Sequence, residues 1–518
     1  MKKYFLLLAA TIGLMMASCS KDNNEIIEPE PTPIPTPNPD PDPTPTPKPE
    51  FTVTQAFLDS IKYAHFDKVN KVDFKEMDSE LIPAEEMADK IFGPDGANGD
   101  EELAAARRVF LMNCQNAADS IANATGQNAA AMLFGTQKFN YVTVDENNNP
   151  LTLSAWMCWG AYWAFGTHNM KQNHIVFICP YTHCKWDECA TESGGGMERY
   201  FLGCDNLFII PDSQGFGIDK DAPQTYLAHH LHAQQYYDCL VAADRIYREG
   251  GGKYEDNVDL RVVGASQGGG DALSLHKYLE THYYDYDLSY YYEGEFSNAL
   301  KPVADMVCEQ FGYPAGTKVV KVPLAKQWNM AYSYVAVGPY NPEATLQAYM
   351  KWGALSFPCV LPMVLKTMLA INPDLSAKYK EEEFYSDLYL KHKDEFDEAI
   401  LKKTKTSDEL NALFRKHLAL DDDPDGAPLP IDRILSKEML NTDSDMCKDM
   451  MAALGKEDLT KGWTPTIKCY MYNCETDEVV PYINSVLLKD FMGNLADVSN
   501  SIASGHVSTC LAFFTKKW

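Results

Sequence analysis

One serine of this sequence stands between glycines, at the point where an apolar stretch gives way to a helical one. The segment reads "DLRVVGASQGGGDAL", with Ser266 between Gly264 and Gly268. Glycines allow a sharp turn and keep neighbouring atoms clear of the side chain between them. The Ser266 hydroxyl would then project from the carboxyl end of a strand, beside the free amides of a helix N-terminus. The pattern predicts a nucleophilic serine with backbone donors ready for a developing oxyanion.

A serine hydroxyl is a weak nucleophile unless a base takes its proton and an acid orients that base. The C-terminal part of the chain supplies candidates for both roles. "ASGHVSTCLAFF" places His506 in a turn before a helix, and no other histidine follows the acidic turn "CETDEVVPY". His506 is the candidate base, and Asp477, Glu475 and Glu478 are the candidate acids.

These residues need a scaffold that brings distant segments together. Short apolar stretches such as "HIVFICPY", "NLFIIP", "DLRVVGAS" and "TIKCYMYNC" alternate with helical segments, which is typical of buried parallel strands with helices on both faces. "FNYVTVDENNNPLTLSAWMCW" predicts a hairpin that turns at residues 147–150. Residues 343 to about 460 are mostly helical and too long for one crossover. The predicted fold is therefore α/β, a mostly parallel sheet flanked by helices, with a helical cap inserted at about 343–460.

Three motifs in this order resemble the α/β-hydrolase superfamily, and within it the secreted lipases and esterases. They are "GASQGG", "TDEVVPY" and "SGHVS". "IIPDSQGFG" is similar to a turn that these esterases carry before the helix preceding the nucleophile. The resemblance covers roughly residues 136–518. It implies the α/β-hydrolase fold, with Ser266, Asp477 and His506 as nucleophile, acid and base.

An oxyanion formed at this serine needs two donors. One is expected to be the backbone N–H of Gln267, the residue after the nucleophile. The second usually comes from the loop after the strand "HIVFICPY", where Tyr181 and Thr182 lie. Resemblance to a subgroup with tyrosine at this place makes Tyr181 the candidate, through its backbone amide or its phenol. A tyrosine that packs under the loop is the alternative.

The chain begins with two lysines, an apolar run and small residues before Cys19. This is typical of a signal peptide, and "MASC" resembles the lipobox of bacterial lipoproteins, after which the cysteine is lipidated. Proline takes every second position from Pro29 to Pro49, which favours an extended tether of roughly 70 Å. We expect an exported protein, lipid-anchored to the bacterial outer membrane through Cys19, on the cell surface or facing the periplasm. A plain signal peptide cut nearby is the alternative.

The predicted domains follow from these segments. Residues 1–18 form the signal peptide and residues 19–50 the lipidated cysteine and its proline-rich tether. Residues 51–135 are helix-leaning and are expected to form a helical N-terminal extension. Residues 136–518 form the hydrolase domain with its cap.

The net charge and three metal-like motifs indicate which kinds of partner the protein does not bind. The net charge of −28 argues against nucleic acid. The histidines of "HHLH" at 229–232 have no acidic partner at ligand spacing, and Cys179, Cys184 and Cys189 do not have the spacing of zinc ligands. The loop at 421–432 approximates a calcium loop, but three prolines disturb its backbone. We predict no metal at these motifs, and the expected chemistry needs no cofactor.

The sequence thus predicts an exported serine hydrolase that cleaves carboxylic esters through an acyl-enzyme on Ser266. Its substrate would be a small-molecule, glycan or lipid ester, as for an esterase or lipase. A serine peptidase of the same fold and a non-catalytic surface binding lipoprotein are the alternatives. The presence of all three triad candidates in the expected order favours the enzyme.

Overall fold

The computed structural model of the chain describes residues 72–94, 101–126, 130–164, 166–295, 297–420 and 427–515. All of them belong to one compact unit, Val53–Trp518. The predicted signal peptide, Cys19 and the proline-rich tether lie outside the described residues. Within the described ranges, no helix has both the length and the apolar composition that crossing a bilayer requires.

A ten-stranded mixed sheet forms the centre of the unit. The strands of the chain are β1 (Phe74–Pro83), β2 (Ala131–Val144), β3 (Pro150–Trp163), β4 (Thr167–Asn169), β5 (Lys171–Cys179), β6 (Asn206–Pro211), β7 (Lys253–Ala265), β8 (Tyr283–Asp287), β9 (Val319–Pro323), β10 (Met330–Ala336), β11 (Ala354–Leu355), β12 (Leu429–Pro430), β13 (Lys468–Asn473) and β14 (Ala496–Asn500). The large sheet has the order β1-β2-β3-β6-β5-β7-β10-β13-β14, with β4 beside β3. From β6 to β14 all neighbours are parallel, whereas β1, β2, β3 and β4 pair antiparallel.

Helices cover both faces of this sheet, because side chains of successive strand residues point to opposite faces. In β5, Phe177 belongs to one apolar cluster and its neighbours Val176 and Ile178 belong to another. The α-helices are α1 (Ala84–Phe92), α2 (Glu101–Thr125), α3 (Ala190–Ser193), α4 (His229–Glu249), α5 (Gln267–Thr281), α6 (Ser289–Glu293), α7 (Ser297–Gln310), α8 (Leu324–Gln327), α9 (Pro342–Trp352), α10 (Val360–Ile371), α11 (Pro373–Lys378), α12 (Asp387–Leu390), α13 (Lys393–Lys402), α14 (Ser407–Leu418), α15 (Lys437–Leu440), α16 (Asp445–Leu454), α17 (Ile483–Met492) and α18 (His506–Thr515). Helices α4, α5 and α7 contribute to the Phe177 cluster, while α1, α2 and α18 contribute to the opposite one.

The segment predicted as a cap carries helices α9 to α16 and a core of its own. Its apolar cluster runs from Leu346 to Leu454 and includes Cys184, Tyr226 and Leu227 of the sheet-bearing part. The two short strands β11 and β12 pair within it. The predicted insertion of helices at about 343–460 therefore corresponds to a separately packed layer.

The N-terminal extension is not purely helical, which corrects the expectation for residues 51–135. Residues 74–83 form β1, an edge strand that pairs with β2. Its sequence "FKEMDSELIP" is almost entirely exposed, with Ile82 as its buried residue. A strand without an apolar face has no alternating pattern to reveal it, so only the pairing with β2 identifies it.

Part of the tyrosine-rich segment after α5 forms β8, which belongs to a small two-stranded sheet with the distant strand β9. Strands β8 and β9 pair antiparallel outside the large sheet. Tyr284 and Tyr286 alternate inward and belong to the main apolar cluster. Tyr284 and Tyr286 are therefore core residues.

All thirteen cysteines after Cys19 lie in the described residues, and all are free thiols. Cys179, Cys184 and Cys189, the evenly spaced trio, are buried. Burial raises the pKa of the Cys189 thiol to about 12, so it remains protonated at neutral pH. The trio is thus a set of buried, packed thiols.

Candidate active site

Ser266 occupies a strained turn between β7 and α5. Its φ of 56° and ψ of −126° lie in a region that non-glycine residues rarely adopt. The Ser266 amide donates to the Ala336 carbonyl at the end of β10, at 2.9 Å. Such a conformation costs about 1–3 kcal/mol and persists where the surroundings enforce it. The turn directs the serine away from the helix axis, at the carboxyl edge of the sheet.

The two flanking glycines are required by close backbone contacts. A β-carbon at Gly264 would lie 2.0 Å from the Gly268 carbonyl oxygen. A β-carbon at Gly268 would lie 2.2 Å from the Cys179 carbonyl oxygen and 2.7 Å from that of Pro180. The start of α5 therefore touches the end of β5. This contact brings the loop that follows β5 next to the serine.

The structure places the three residues predicted as a triad in one hydrogen-bonded chain. His506 Nε2 lies 2.8 Å from Ser266 Oγ, and His506 Nδ1 lies 2.7 Å from Asp477 Oδ2. Asp477 accepts hydrogen bonds on its other oxygen from the amides of Val479 and Val480, at 2.8 and 2.7 Å. The Asp477 side chain is 1% exposed and that of His506 is 7% exposed. Both are positioned by turns that follow β13 and β14.

The competing carboxylates have other partners. Glu478 accepts from the backbone amide of His506, at 3.1 Å, and so fixes the turn rather than the ring. Glu475 accepts from the Asn500 side chain at 3.4 Å. Asp477 is therefore the carboxylate of this turn that contacts the His506 imidazole.

The His506 imidazole has a raised proton affinity. Burial alone lowers the pKa of the ring, but Cys510 and the Asp477 carboxylate on either side raise it, and the net result lies well above the usual 6.5. The neutral ring, with Nδ1 donating to Asp477, has Nε2 free to accept the Ser266 proton. This arrangement can deprotonate the serine as it attacks.

Of the two predicted oxyanion residues, Gln267 lies where expected. It is the first residue of α5 and borders the cavity in front of Ser266. Its side-chain Nε2 donates to Asp271 at 3.5 Å. The Gln267 amide is thus at a helix N-terminus next to the nucleophile, as an oxyanion donor needs.

Tyr181 also borders this cavity, but its backbone amide already has a partner. Its amide donates to Glu198 Oε1 at 3.4 Å, and its hydroxyl lies against Gly196, where a β-carbon would be 2.6 Å away. The ring packs edge-on against His183. The predicted packing of a tyrosine under the loop is present here, while its part in binding an oxyanion stays a prediction.

Glu198 is a buried carboxyl beneath the loop that the sequence did not single out. Its side chain is 1% exposed, and its Oε1 lies 3.9 Å from His183 Nε2. Burial raises the pKa of Glu198 to about 7 and lowers that of His183 to about 4. Neither Glu198 Oε2 nor His183 Nε2 has a hydrogen-bond partner among the described residues. No local pattern around Glu198 could have revealed this pairing.

The comparisons with known proteins agree with this geometry at the level of the fold. No protein-family model matches the sequence, and no curated protein matches it closely enough to count as a relative. The ligand-bound rice cell wall degrading esterase LipA from Xanthomonas oryzae superposes with a TM-score of 0.52 at 14% identity, over 85% of this chain and 94% of that one. A protein from Legionella pneumophila assigned as a hydrolase superposes with a TM-score of 0.53 at 13% identity, over 86% and 95%.

The chain has the α/β-hydrolase fold. The strand order, the antiparallel pairing of β3 with β6 at the border of the parallel set, and the turn at Ser266 agree with that assignment.

The hydrolase fold also explains the "HHLH" segment. Nδ1 of His229 and Nδ1 of His232 each lie 3.0 Å from Oδ1 of Asp271. Asp271 belongs to α5, the helix that begins directly after the nucleophile. His230 instead lies 2.5 Å from Glu457. The acidic partners that the local sequence lacked are supplied by α5 and by Glu457, near the end of the cap segment. The segment therefore joins α4 to α5, directly behind the nucleophile.

A cavity of about 210 Å³ opens in front of the serine, between the sheet and the cap. Ser266, Gln267 and His506 border one end of it. The cap supplies an apolar lining, which includes Leu346, Val360, Leu361, Leu365, Met439 and Leu454. The hydrolase fold thus presents its hydrogen-bonded side chains to a space suited to an apolar group.

The acidic loop at 421–432 does not join this site in the described residues. Residues 421–426 are outside the described ranges, and the remaining residues include β12 and a short turn of helix at Ile431–Arg433. The cavity lining contains none of residues 427–432.

The first prediction concerns the turn itself. Gly268→Val would place side-chain atoms against the carbonyls of Cys179 and Pro180, so we expect the free energy of unfolding to fall by about 3 kcal/mol and hydrolysis to be lost. Denaturant unfolding and ester turnover measure both. Gly462→Ala is the control, since space there is open and positive φ alone costs about 1–2 kcal/mol. A fully active Gly268→Val variant would contradict the assigned contact.

The second prediction concerns pH. His506 must be neutral to accept the Ser266 proton, so kcat/KM for an ester should rise with pH through the raised His506 pKa, with its midpoint above 6.5. Glu198 titrates near the same range. The Glu198→Gln variant removes that carboxyl group, and the rise of kcat/KM with pH should remain in it if His506 is the titrating group. Loss of this rise in the variant would assign the titration to Glu198 instead.

Proposed function

We propose that this protein is a serine hydrolase that cleaves carboxylic esters through an acyl-enzyme on Ser266. One observation carries the proposal: the hydrogen-bonded chain Ser266–His506–Asp477 opens directly on an apolar cavity. A nucleophile, a base and an orienting acid at hydrogen-bonding distances are the requirements of nucleophilic acyl transfer.

In the acylation step, Ser266 Oγ attacks the ester carbonyl while its proton passes to His506 Nε2. The carbon–oxygen double bond becomes an oxyanion, stabilised by the Gln267 amide and a second donor near Tyr181. Asp477 stabilises the imidazolium that forms and keeps Nδ1 protonated. Collapse of the tetrahedral intermediate breaks the ester C–O bond, and the alcohol leaves with the proton from His506.

In the deacylation step, His506 takes a proton from a water molecule, whose oxygen attacks the acyl carbonyl. The second tetrahedral intermediate collapses by breaking the bond to Ser266 Oγ, which recovers its proton from His506. The carboxylic acid is released and the resting hydrogen bonds re-form. The residues return to their starting state, and no cofactor takes part.

The cavity supports an ester with an apolar acyl group. Its cap lining is aliphatic, and each buried CH₂ of a bound chain contributes about 0.8 kcal/mol. Asp408, at the start of α14, is the carboxylate among the lining residues and would disfavour an anionic group there. The fold likeness to an esterase that degrades rice cell walls supports ester hydrolysis as the reaction class, at the level of the fold. We propose lipid or other acyl esters as substrates.

The two alternatives receive less support. A peptidase needs a cleft that accepts chain on both sides of the scissile bond, whereas the cavity here is bordered by aliphatic cap residues. A non-catalytic binding protein has no need for the strained Ser266 conformation or for the short hydrogen bonds of His506.

We further propose that the protein is exported and lipid-anchored through Cys19. The proposal rests on the sequence of residues 1–50, with a signal-like start and a proline-rich spacer. An extended spacer would hold the hydrolase away from a membrane surface. Incorporation of radiolabelled palmitate that is lost in Cys19→Ala would support the anchor, and equal labelling of both would contradict it.

The third prediction tests the nucleophile. The purified protein should react with a fluorophosphonate probe and should hydrolyse p-nitrophenyl esters. Ser266→Ala should abolish labelling and lower kcat by about 10⁴-fold or more, because the attacking atom is missing. Ser508→Ala, an exposed serine two residues after His506, is the matched control and should keep both. A folded protein without labelling and turnover would favour the binding protein instead.

The fourth prediction tests the acyl site. Leu361→Trp fills part of the cavity, so kcat/KM for p-nitrophenyl palmitate should fall at least about ten-fold relative to acetate. Leu369→Trp, on the same helix but outside the cavity lining, should leave this ratio unchanged. A palmitate-to-acetate ratio equal to that of the wild type in Leu361→Trp would show that the acyl chain binds elsewhere.

A further inference from the structure

Two histidines and a glutamate meet on the cap, away from the proposed active site. His392 precedes α13, Glu395 lies in its first turn, and His417 lies in the last turn of α14. One ligand atom from each lies within 4.8 Å of the other two. Among the described residues this is the one group of three or more such side chains that satisfies this limit.

The contacts within the group are not those of an ordinary ion pair. His417 Nε2 lies 3.0 Å from Glu395 Oε2, yet this buried nitrogen has no hydrogen bond of acceptable geometry. The rings of His392 and His417 approach with their centres 4.3 Å apart and their planes inclined by 31°. A metal ion would take a lone pair from each of these two imidazoles, whose ligand atoms lie within 4.8 Å of each other.

We propose that His392, Glu395 and His417 bind a divalent transition-metal ion of the zinc class. Two imidazole nitrogens and one carboxylate oxygen form a common zinc ligand set, and water completes a tetrahedral site. Imidazole donors favour such ions over Ca²⁺ and Mg²⁺, which prefer oxygen ligands. The three side chains come from two helices that are separate in sequence, so a bound ion joins them.

The surroundings hold the ligands in place. Phe396 stacks on Phe414 with ring centres 4.3 Å apart, which fixes α13 against α14 directly beside the site. Phe396 also packs edge-on against the His417 ring. This aromatic contact holds the two helices at the spacing that brings the three ligand atoms together.

The site would stabilise the cap and take no part in the chemistry at Ser266. Helix α14 begins with Ser407 and Asp408, which border the acyl cavity, and His417 lies ten residues further along it. At 1.5 Å per residue, this separates the metal from the cavity wall by about 15 Å. A metal at one end of α14 would therefore fix the helix whose other end borders the cavity.

The test uses the full chain, stripped with a chelator and titrated with Zn²⁺ in a calorimeter. We expect one ion per chain, and His392→Ala and His417→Ala should each weaken binding at least about 100-fold, since even the loss of a partner of a ligand costs 10–100-fold. His168→Ala, an exposed histidine on β4, is the control and should bind like the wild type. Glu395→Gln, at a half-exposed side chain, keeps the fold and should weaken binding too.

Two further readouts separate this site from adventitious binding and from the proposed catalysis. Co²⁺ should give the visible absorption of tetrahedral coordination in the wild type and not in His417→Ala. Zn²⁺ should raise the midpoint of thermal unfolding in the wild type only. Unchanged Zn²⁺ affinity in both histidine variants, or no binding by the wild type, would overturn the proposal whether or not the protein hydrolyses esters.

Discussion

The turn at Ser266 is the constraint on which the rest of this molecule depends. A serine with φ of 56° can exist only where the chain on either side is held, and here its amide is tied to the end of β10. On the other side, α5 can start where it does only because Gly268 leaves room for the carbonyls that end β5. The order β5-β7-β10 in the sheet is thus the order that this turn requires. The packing of the adjacent strands β5, β7 and β10 compensates for the energetic cost of the Ser266 conformation.

Around this turn lie the buried carboxylates of Asp477 and Asp271, and each of them has several hydrogen-bond donors. Two backbone amides orient the Asp477 carboxylate, and this carboxylate in turn orients the His506 imidazole. Behind the turn, the Asp271 carboxylate accepts hydrogen bonds from two histidines of α4 and from the side chain of Gln267. A buried carboxylate is tolerable only with such partners. These hydrogen bonds connect the elements that carry the nucleophile to those that support it.

The sheet-bearing part and the cap have separate tasks. The sheet edge supplies the polar side chains in front of the cavity, whereas the cap supplies aliphatic lining from a core of its own. Because the cap packs as a separate layer, its residues can vary the size of the cavity without disturbing the turn at Ser266. The histidine pair between α13 and α14 belongs to this layer, in keeping with a role in stability rather than in chemistry.

The sequence by itself determined the elements with strong periodicity and the residues with local signals. The strands β5, β6, β7 and β13, the hairpin of β2 and β3 and the helical cap were all predicted, because apolar runs and turn residues mark them locally. Ser266 and His506 were predicted because glycines and chain order mark them, and the acidic turn supplied three candidate acids, of which the resemblance favoured Asp477. The polar edge strand β1 and the tyrosine-containing strand β8 lacked such marks.

Only the tertiary structure decided which side chains meet. The choice of Asp477 over Glu478 depends on which carboxylate reaches the His506 ring, and that follows from turn geometry within a few ångströms. The partners of the "HHLH" segment, Asp271 and Glu457, lie 39 to 227 residues away along the chain. No local pattern encodes such pairs, because contacts across a fold depend on the packing of whole elements. The sequence determines the chemistry that each segment can offer, and the fold decides which of those groups share a site.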